Sequence, residues 1–229
     1  MRTVLFTGLL GSGKSTVILK LASFLKGQDG PQSVALIEAE AGDKSLTCEF
    51  AADSAIAAED LTRGCVGCTS LAAGLCSALE KLQSGAPPSW LLIEASTLGF
   101  QTIKDMVAQS LPDGAQPFTV LVLEAVGWAD LYKEAPLMTV GLASGADLVL
   151  INSFPSVAES PVGLLSDTIA GISEANPGCL IAVAPFREMD PTKLFRIFQK
   201  AGLETGQAAQ AETGRGMADE RASVPSVPA

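Results

Sequence analysis

The chain has 229 residues, with 15 Lys and Arg against 25 Asp and Glu, no histidine, and a net charge of −10. That size suits one α/β domain able to bury its own core, and the acidic balance argues against a nucleic acid or an anionic membrane as partner, since both need a basic face. The absence of histidine rules out Ser-His and Cys-His catalytic dyads, and no apolar run reaches the roughly 18 residues of a membrane-spanning helix.

In chain order, Met1-Arg2 leads directly into a short apolar strand at 3–6, with no cleavable leader pattern, which points to a cytoplasmic protein. Next comes Gly8-Leu9-Leu10-Gly11-Ser12-Gly13-Lys14-Ser15, set between that strand and a helical pattern at 14–25. This is a phosphate-binding loop: glycines let successive backbone N–H groups converge on a phosphate, and the following helix presents its positive end. Lys14 is expected at the β- and γ-phosphates of a nucleoside triphosphate and Ser15 at Mg²⁺, with Gly8, Gly11, Ser12, Gly13 and Thr16 completing the cradle.

A second strand at 33–39 runs into Glu38-Ala39-Glu40-Ala41-Gly42-Asp43, where Glu40 and Asp43 are candidates to orient Mg²⁺ or an attacking water. A third strand at 90–95 carries Leu91-Leu92-Ile93-Glu94. An apolar strand that ends in an acid at the carboxyl edge of a sheet holds a Mg²⁺-linked or hydrolytic water, so Glu94 is the expected metal-linked carboxylate. Further strands at 118–124, 147–152 and 179–183 bring the expected number to six, and helices are expected at 69–82, 102–109, 159–174 and 191–201. The last opens with Asp190 as cap and Pro191 in the first turn. This alternation predicts an α/β fold of the P-loop NTPase kind, a mostly parallel sheet with helices on both faces and ligands at the carboxyl ends of its strands. Residues 1–204 form the nucleotide-binding domain, and 205–229, small and polar, read as a disordered tail.

Two of the five cysteines form Cys65-x-x-Cys68, a spacing that points to metal or redox chemistry rather than to a structural disulfide. Two thiolates make half of a tetrahedral site. Glu40, a water, a cargo metal's own ligands, or the same pair from a second subunit can complete it, and Zn²⁺, Ni²⁺ and Co²⁺ all suit thiolate-rich ligation. A reduced pair without metal and a redox disulfide are the alternatives. Cys48, Cys76 and Cys179 read as packing residues.

Taken together, these motifs resemble the CobW-, HypB- and UreG-type P-loop GTPases, which act as metallochaperones or cofactor-maturation factors. The family loop Gly-Phe-Leu-Gly-Ala-Gly-Lys-Thr-Thr is similar to Gly8–Thr16, and its strand leading into Asn-Glu-Phe-Gly is similar to Val34–Gly42, with Glu40 and Gly42 kept. Its Glu-x-Ser-Gly resembles Glu94–Thr97, its Gly-Cys-x-Cys-Cys resembles Gly64–Cys68, and its Ala-Asp strand leading to Asn-Lys-x-Asp resembles Ala146–Pro155; Asn176-Pro177 also matches. The resemblance implies Mg²⁺-GTP as substrate, a client metalloenzyme, a nucleotide-dependent homodimer with metal at its interface, and switch behaviour from Glu38 to Cys68.

The sequence departs from the family at three places. Asn152-Ser153-Phe154-Pro155 lacks the carboxylate that reads guanine, so Asn152 alone is left for the base, and both GTP and ATP stay open. Gly67 removes the middle thiol of the cysteine motif, and a short polar tail stands where CobW-type chains carry a further domain. Two other functions fit the phosphate loop, a small-molecule kinase and a nucleotide-binding regulatory protein that does not hydrolyse. The six arginines are scattered, without the paired lid arginines a kinase needs.

Overall fold

The computed structural model describes residues 1–30, 32–39, 57–61, 69–84, 87–152 and 163–203. In chain order these hold β1 (Arg2–Thr7), α1 (Lys14–Asp29), β2 (Val34–Ala39), β3 (Ala57–Asp60), α2 (Thr69–Ser84), β4 (Trp90–Ala95), α3 (Phe100–Ser110), β5 (Phe118–Leu123), α4 (Ala125–Glu134), α5 (Pro136–Ser144), β6 (Leu148–Asn152), α6 (Leu164–Ala175), β7 (Leu180–Ala184) and α7 (Pro191–Lys200). The strands form one sheet in the order β3-β2-β4-β1-β5-β6-β7. Every pairing in it is parallel.

The expected parallel sheet stands, with one strand more among the described residues than the six anticipated. The addition is β3, which reads Ala-Ala-Glu-Asp and carries no apolar run; it pairs with β2 in register, Leu36 opposite Ala58 and Glu38 opposite Asp60. The central strands β1, β2, β4 and β5 are buried almost end to end. Helices cover both faces, so side chains pointing either way must be apolar, which is why these strands read as unbroken runs instead of alternating ones.

Alternate residues of the same strands divide between two cores. Leu5, Ile37, Ile93 and Leu121 face one cluster, roofed by α2, α3, α4, α5 and α6 through Leu79, Ile103, Trp128, Leu142 and Ile172. Val4, Leu36, Leu92 and Val120 face the other, under α1 and α7, which supply Val17, Ile18, Leu21, Leu194 and Phe198. Trp90 opens β4 wholly buried in that second cluster. Its indole N–H donates to Asp29 Oδ2 at 2.8 Å, and Arg2 lies over its ring at 4.3 Å.

Differences from the sequence reading have local causes. Residues 125–144, left unassigned above, fold into α4 and α5. Pro136 opens α5, whose Pro-Leu-Met-Thr-Val-Gly-Leu-Ala-Ser is apolar on nearly every side and therefore shows no helical stripe. Glu124, expected as the last residue of β5, instead caps α4, its carboxylate accepting from the N–H groups of Val126 and Gly127 at 3.2 and 3.1 Å. Asp190 caps α7 as expected; the Thr192 backbone N–H, donating to it at 2.9 Å, holds its carboxyl below the usual carboxylate range. The helix expected from 159 is seen from Leu164, residues 153–162 lying outside the described set, as does the tail from 204.

Cys179 packs against the first cluster as expected, and burial pushes its thiol up from the ordinary value. Cys76 contradicts its reading as a packing residue: it lies exposed on the outer side of α2, while its neighbours Leu75 and Leu79 turn inward. Cys48 lies outside the described residues. Alkylation at neutral pH, followed by peptide mapping, is expected to modify Cys76 well before Cys179, since Cys76 is exposed while burial shields the Cys179 thiol and raises it.

Asn176, at the end of α6, ties that helix to α5. Its amide nitrogen donates to the carbonyl of Ala143 in the last turn of α5 at 3.0 Å and to that of Ala146 just beyond it at 2.8 Å. Asn176→Ala is expected to cost about 1–3 kcal/mol in urea denaturation, at about 0.5–1.5 kcal/mol for each of these hydrogen bonds lost.

Candidate functional site

The loop after β1 is shaped by three residues in left-handed backbone conformations, Gly8, Gly11 and Gly13, with φ of 145°, 80° and 96°. Two of them are also pinned by contact. A Cβ on Gly8 would sit 1.8 Å from the carbonyl oxygen of Val122 in β5, and one on Gly13 would sit 2.4 Å from Nδ2 of Asn152 at the end of β6. The loop is thus pressed against the carboxyl ends of the two strands next to β1 on that side.

Lys14 is almost entirely buried, its ammonium group donating to the Gly8 and Leu9 carbonyls at 2.8 and 3.0 Å, so it spans the loop it belongs to. Gly13 starts α1 in the left-handed region with no side-chain cap, and the first turn carries no acid. The backbone N–H groups of that turn and the positive end of a 16-residue helix are therefore not committed to a capping side chain, which suits an anion.

Ser15, in the first turn of α1, donates from Oγ to Oε1 of Glu94 at 3.2 Å. Glu94 belongs to β4 and pairs in register with Phe6 of β1, so the strand next to the loop brings its acid directly under the start of α1. A hydroxyl and a carboxylate in contact form a hard oxygen donor set, the kind Mg²⁺ takes, and the residues fit that ion. Asn152 closes the rear of the loop, donating from Nδ2 to the Ser12 carbonyl at 3.1 Å and accepting from the Phe186 N–H at 3.3 Å. It joins the phosphate loop to the segment after β7. Ser12 points its hydroxyl into the protein, buried and without a hydrogen-bond partner, beneath the loop.

The structure therefore brings together Gly8, Gly11, Ser12, Gly13, Lys14, Ser15, Glu94 and Asn152. Thr16 follows in the same helical turn. Glu40, Asp43, Cys65, Cys68 and 153–155 lie outside the described residues. Among the described residues there is no group of three or more Cys, Asp or Glu able to hold a metal, and no helix long and apolar enough to cross a membrane. Sequence reasoning passed over Glu38 as a site residue: it is 1% exposed and stands beside Glu94 in the sheet. The signal was an acid inside an otherwise apolar strand. Two large apolar side chains stand in the open, Leu10 within the loop at 66% exposure and Leu98 three residues past β4 at 80%.

A parallel sheet with a glycine loop between its central strand and a helix, and an acid from the neighbouring strand at that helix's start, defines a P-loop NTPase. The model of the CobW/HypB/UreG nucleotide-binding domain matches residues 2–177, and the chain belongs to that family, a family of P-loop GTPases. Among solved structures, the hydrogenase maturation factor HypB from Archaeoglobus fulgidus superposes with a TM-score of 0.57 at 16% identity, covering 88% of this chain and 91% of HypB. The signal recognition particle receptor FtsY from Elizabethkingia anophelis, in complex with GDP, gives 0.55 at 17% identity; 86% of this chain matches 63% of that one. FtsY from Mycoplasma mycoides gives 0.54 at 16% identity, covering 88% and 68% of the two chains. At these identities the likeness is one of fold. No curated protein sequence matches.

Gly8 and Gly11 differ in a way that stability can read. Gly11 has no atom within 4 Å of a built Cβ, so Gly11→Ala carries backbone strain alone, about 1–2 kcal/mol. Gly8→Ala drives a methyl into the Val122 carbonyl and is expected to lose more than about 4 kcal/mol, or the cooperative transition altogether, in urea denaturation followed by circular dichroism.

Proposed function

We propose that the chain hydrolyses a nucleoside triphosphate, GTP by family, to drive metal delivery or metal-cofactor maturation in a client enzyme of the cytoplasm. The observation that carries this reading is the Ser15–Glu94 contact of 3.2 Å at the start of an uncapped helix, within a family of nucleotide-binding domains. HypB, whose fold the chain shares, is itself described as a hydrogenase maturation factor.

In this reading the loop N–H groups from Gly11 to Thr16 bind the phosphates, and the Lys14 ammonium moves from the loop carbonyls to the β- and γ-phosphate oxygens. Ser15 and Glu94 hold the divalent cation, which supplies charge neutralisation of the transferring phosphoryl group. An acid from Glu40 or Asp43 orients the attacking water, and hydrolysis is slow unaided because the chain offers no evident arginine in cis. Asn152 keeps the loop in register with the base-binding end of the sheet. Catalysis then consists mostly of positioning and electrostatics.

Cys65 and Cys68 are assigned to a transition metal, Zn²⁺, Ni²⁺ or Co²⁺, as cargo. The segment from Glu38 to Cys68 carries nucleotide state to that pair, ordered by the γ-phosphate and released after hydrolysis. The exposed side chains of Leu10 in the loop and Leu98 after β4 support a nucleotide-dependent homodimer across this edge.

Calorimetric titration with GTP and ATP in Mg²⁺, with and without one equivalent of Zn²⁺, Ni²⁺ or Co²⁺, tests the coupling. Metal is expected to change nucleotide affinity by 5-fold or more, about 1 kcal/mol of coupling. The Cys65→Ser, Cys68→Ser double mutant is expected to abolish that change while binding nucleotide normally. Identical nucleotide binding in all these conditions would sink the metal assignment and favour a kinase or a non-hydrolysing regulator.

A further inference from the structure

The strand register sets a second carboxylate beside Glu94. Glu38 of β2 is the Cα partner of Glu94 of β4. Registered neighbours in a parallel sheet lie about 4.8 Å apart and point to the same face. For this pair it is the α1 face, because Leu36 and Leu92, two residues before each acid, both belong to the cluster beneath α1. Both acids are enclosed, at 1% and 4% exposure, and the second touches Ser15. Leu61 N–H donates to the Glu38 carbonyl at 2.8 Å, which fixes this end of β2 to the chain leaving β3.

Two enclosed carboxylates borne by registered neighbours on one face of the sheet raise the local demand for positive charge above that of one acid, since repulsion in a low-dielectric setting is weakly screened. The family segment that Val34–Gly42 resembles places its acid where Glu40 stands, so Glu38 is a carboxylate in addition to that motif. Lys14 and the start of α1 lie on the same side, and the cation expected at Ser15 and Glu94 would stand in the field of both glutamates.

We propose that Glu38 is a positioning residue for the divalent cation of the nucleotide site, acting through Glu94 to raise the affinity with which that cation is held. This rests on the assignment of Ser15 and Glu94 to the cation made above. The pair makes cation retention partly independent of the nucleotide's own phosphates, so the protein keeps its cation when the triphosphate becomes diphosphate.

The test uses Mn²⁺ as a spectroscopic stand-in, titrated into the full chain with GDP and followed by electron paramagnetic resonance. Glu38→Gln is expected to weaken Mn²⁺ binding about 10-fold or more, the scale of losses seen when groups behind metal ligands are removed. GDP affinity without metal and the melting temperature are expected to stay as in the wild type, and Glu38→Asp to recover part of the loss. Glu38→Met, which keeps the bulk without the charge, is expected to match Glu38→Gln and covers the case in which the amide packs poorly. If Glu94→Gln loses Mn²⁺ affinity while both Glu38 variants stay within two-fold of wild type, this inference is overturned and the cation assignment survives. If Glu94→Gln also leaves Mn²⁺ binding unchanged, the cation assignment itself fails and this inference falls with it.

Discussion

The close approach of Gly8 to the Val122 carbonyl governs the geometry of everything around it. No side chain fits between the first residue of the loop and the end of β5, so the chain must leave β1 along that one path. From there the loop turns back through Gly11, and Gly13 delivers it into α1 with its N–H groups unblocked. Ser15 then falls over Glu94 because β4 is the next strand of the sheet, paired with β1 residue for residue. A chain of backbone constraints thus assembles an anion cradle and a hard oxygen site side by side.

The second dependence is electrostatic. A molecule with net charge −10 gathers two enclosed glutamates under the same helix start that is built for phosphate. Anion and acid share that volume most readily with cations between them; among the described residues Lys14 lies at this helix start, and in our reading a further cation arrives with the nucleotide. The arrangement makes metal and nucleotide binding mutually reinforcing, as expected where opposite charges are buried together.

Much of this was legible in the sequence because buried parallel strands announce themselves. Six strands and the loop were legible from apolar runs and glycine spacing, and the sheet contains them; Lys14 and Ser15 open α1, and Glu94 lies near the carboxyl end of β4. β3 was invisible because Ala-Ala-Glu-Asp has no apolar run; the ladder to β2 makes it a strand, and pairing leaves no local mark. The α4–α5 stretch failed for the opposite reason, an excess of apolar residues that erases the helical stripe. Glu38 stood at the end of the second strand with no site role, because its partner across the ladder, unknown from sequence, is what makes it a neighbour of Glu94. Cys76 was misjudged because an exposed thiol and a packed one look alike in a helix of small residues. For β3 and Glu38 the missing knowledge was which segment lies alongside.

The strand order also sets a schedule. During synthesis the phosphate loop emerges well before the strands that fix it: β4 and β5 flank β1, and Asn152, which braces the loop from behind, lies 140 residues beyond Ser12. At about 5–20 residues per second, the ribosome takes on the order of ten seconds or more to supply these supports. Over that interval β1 gains α1 on one face first, then β4 and β5 on its two edges, and the brace from Asn152 after them. The phosphate loop therefore acquires its shape only after segments far along the chain from it have been made.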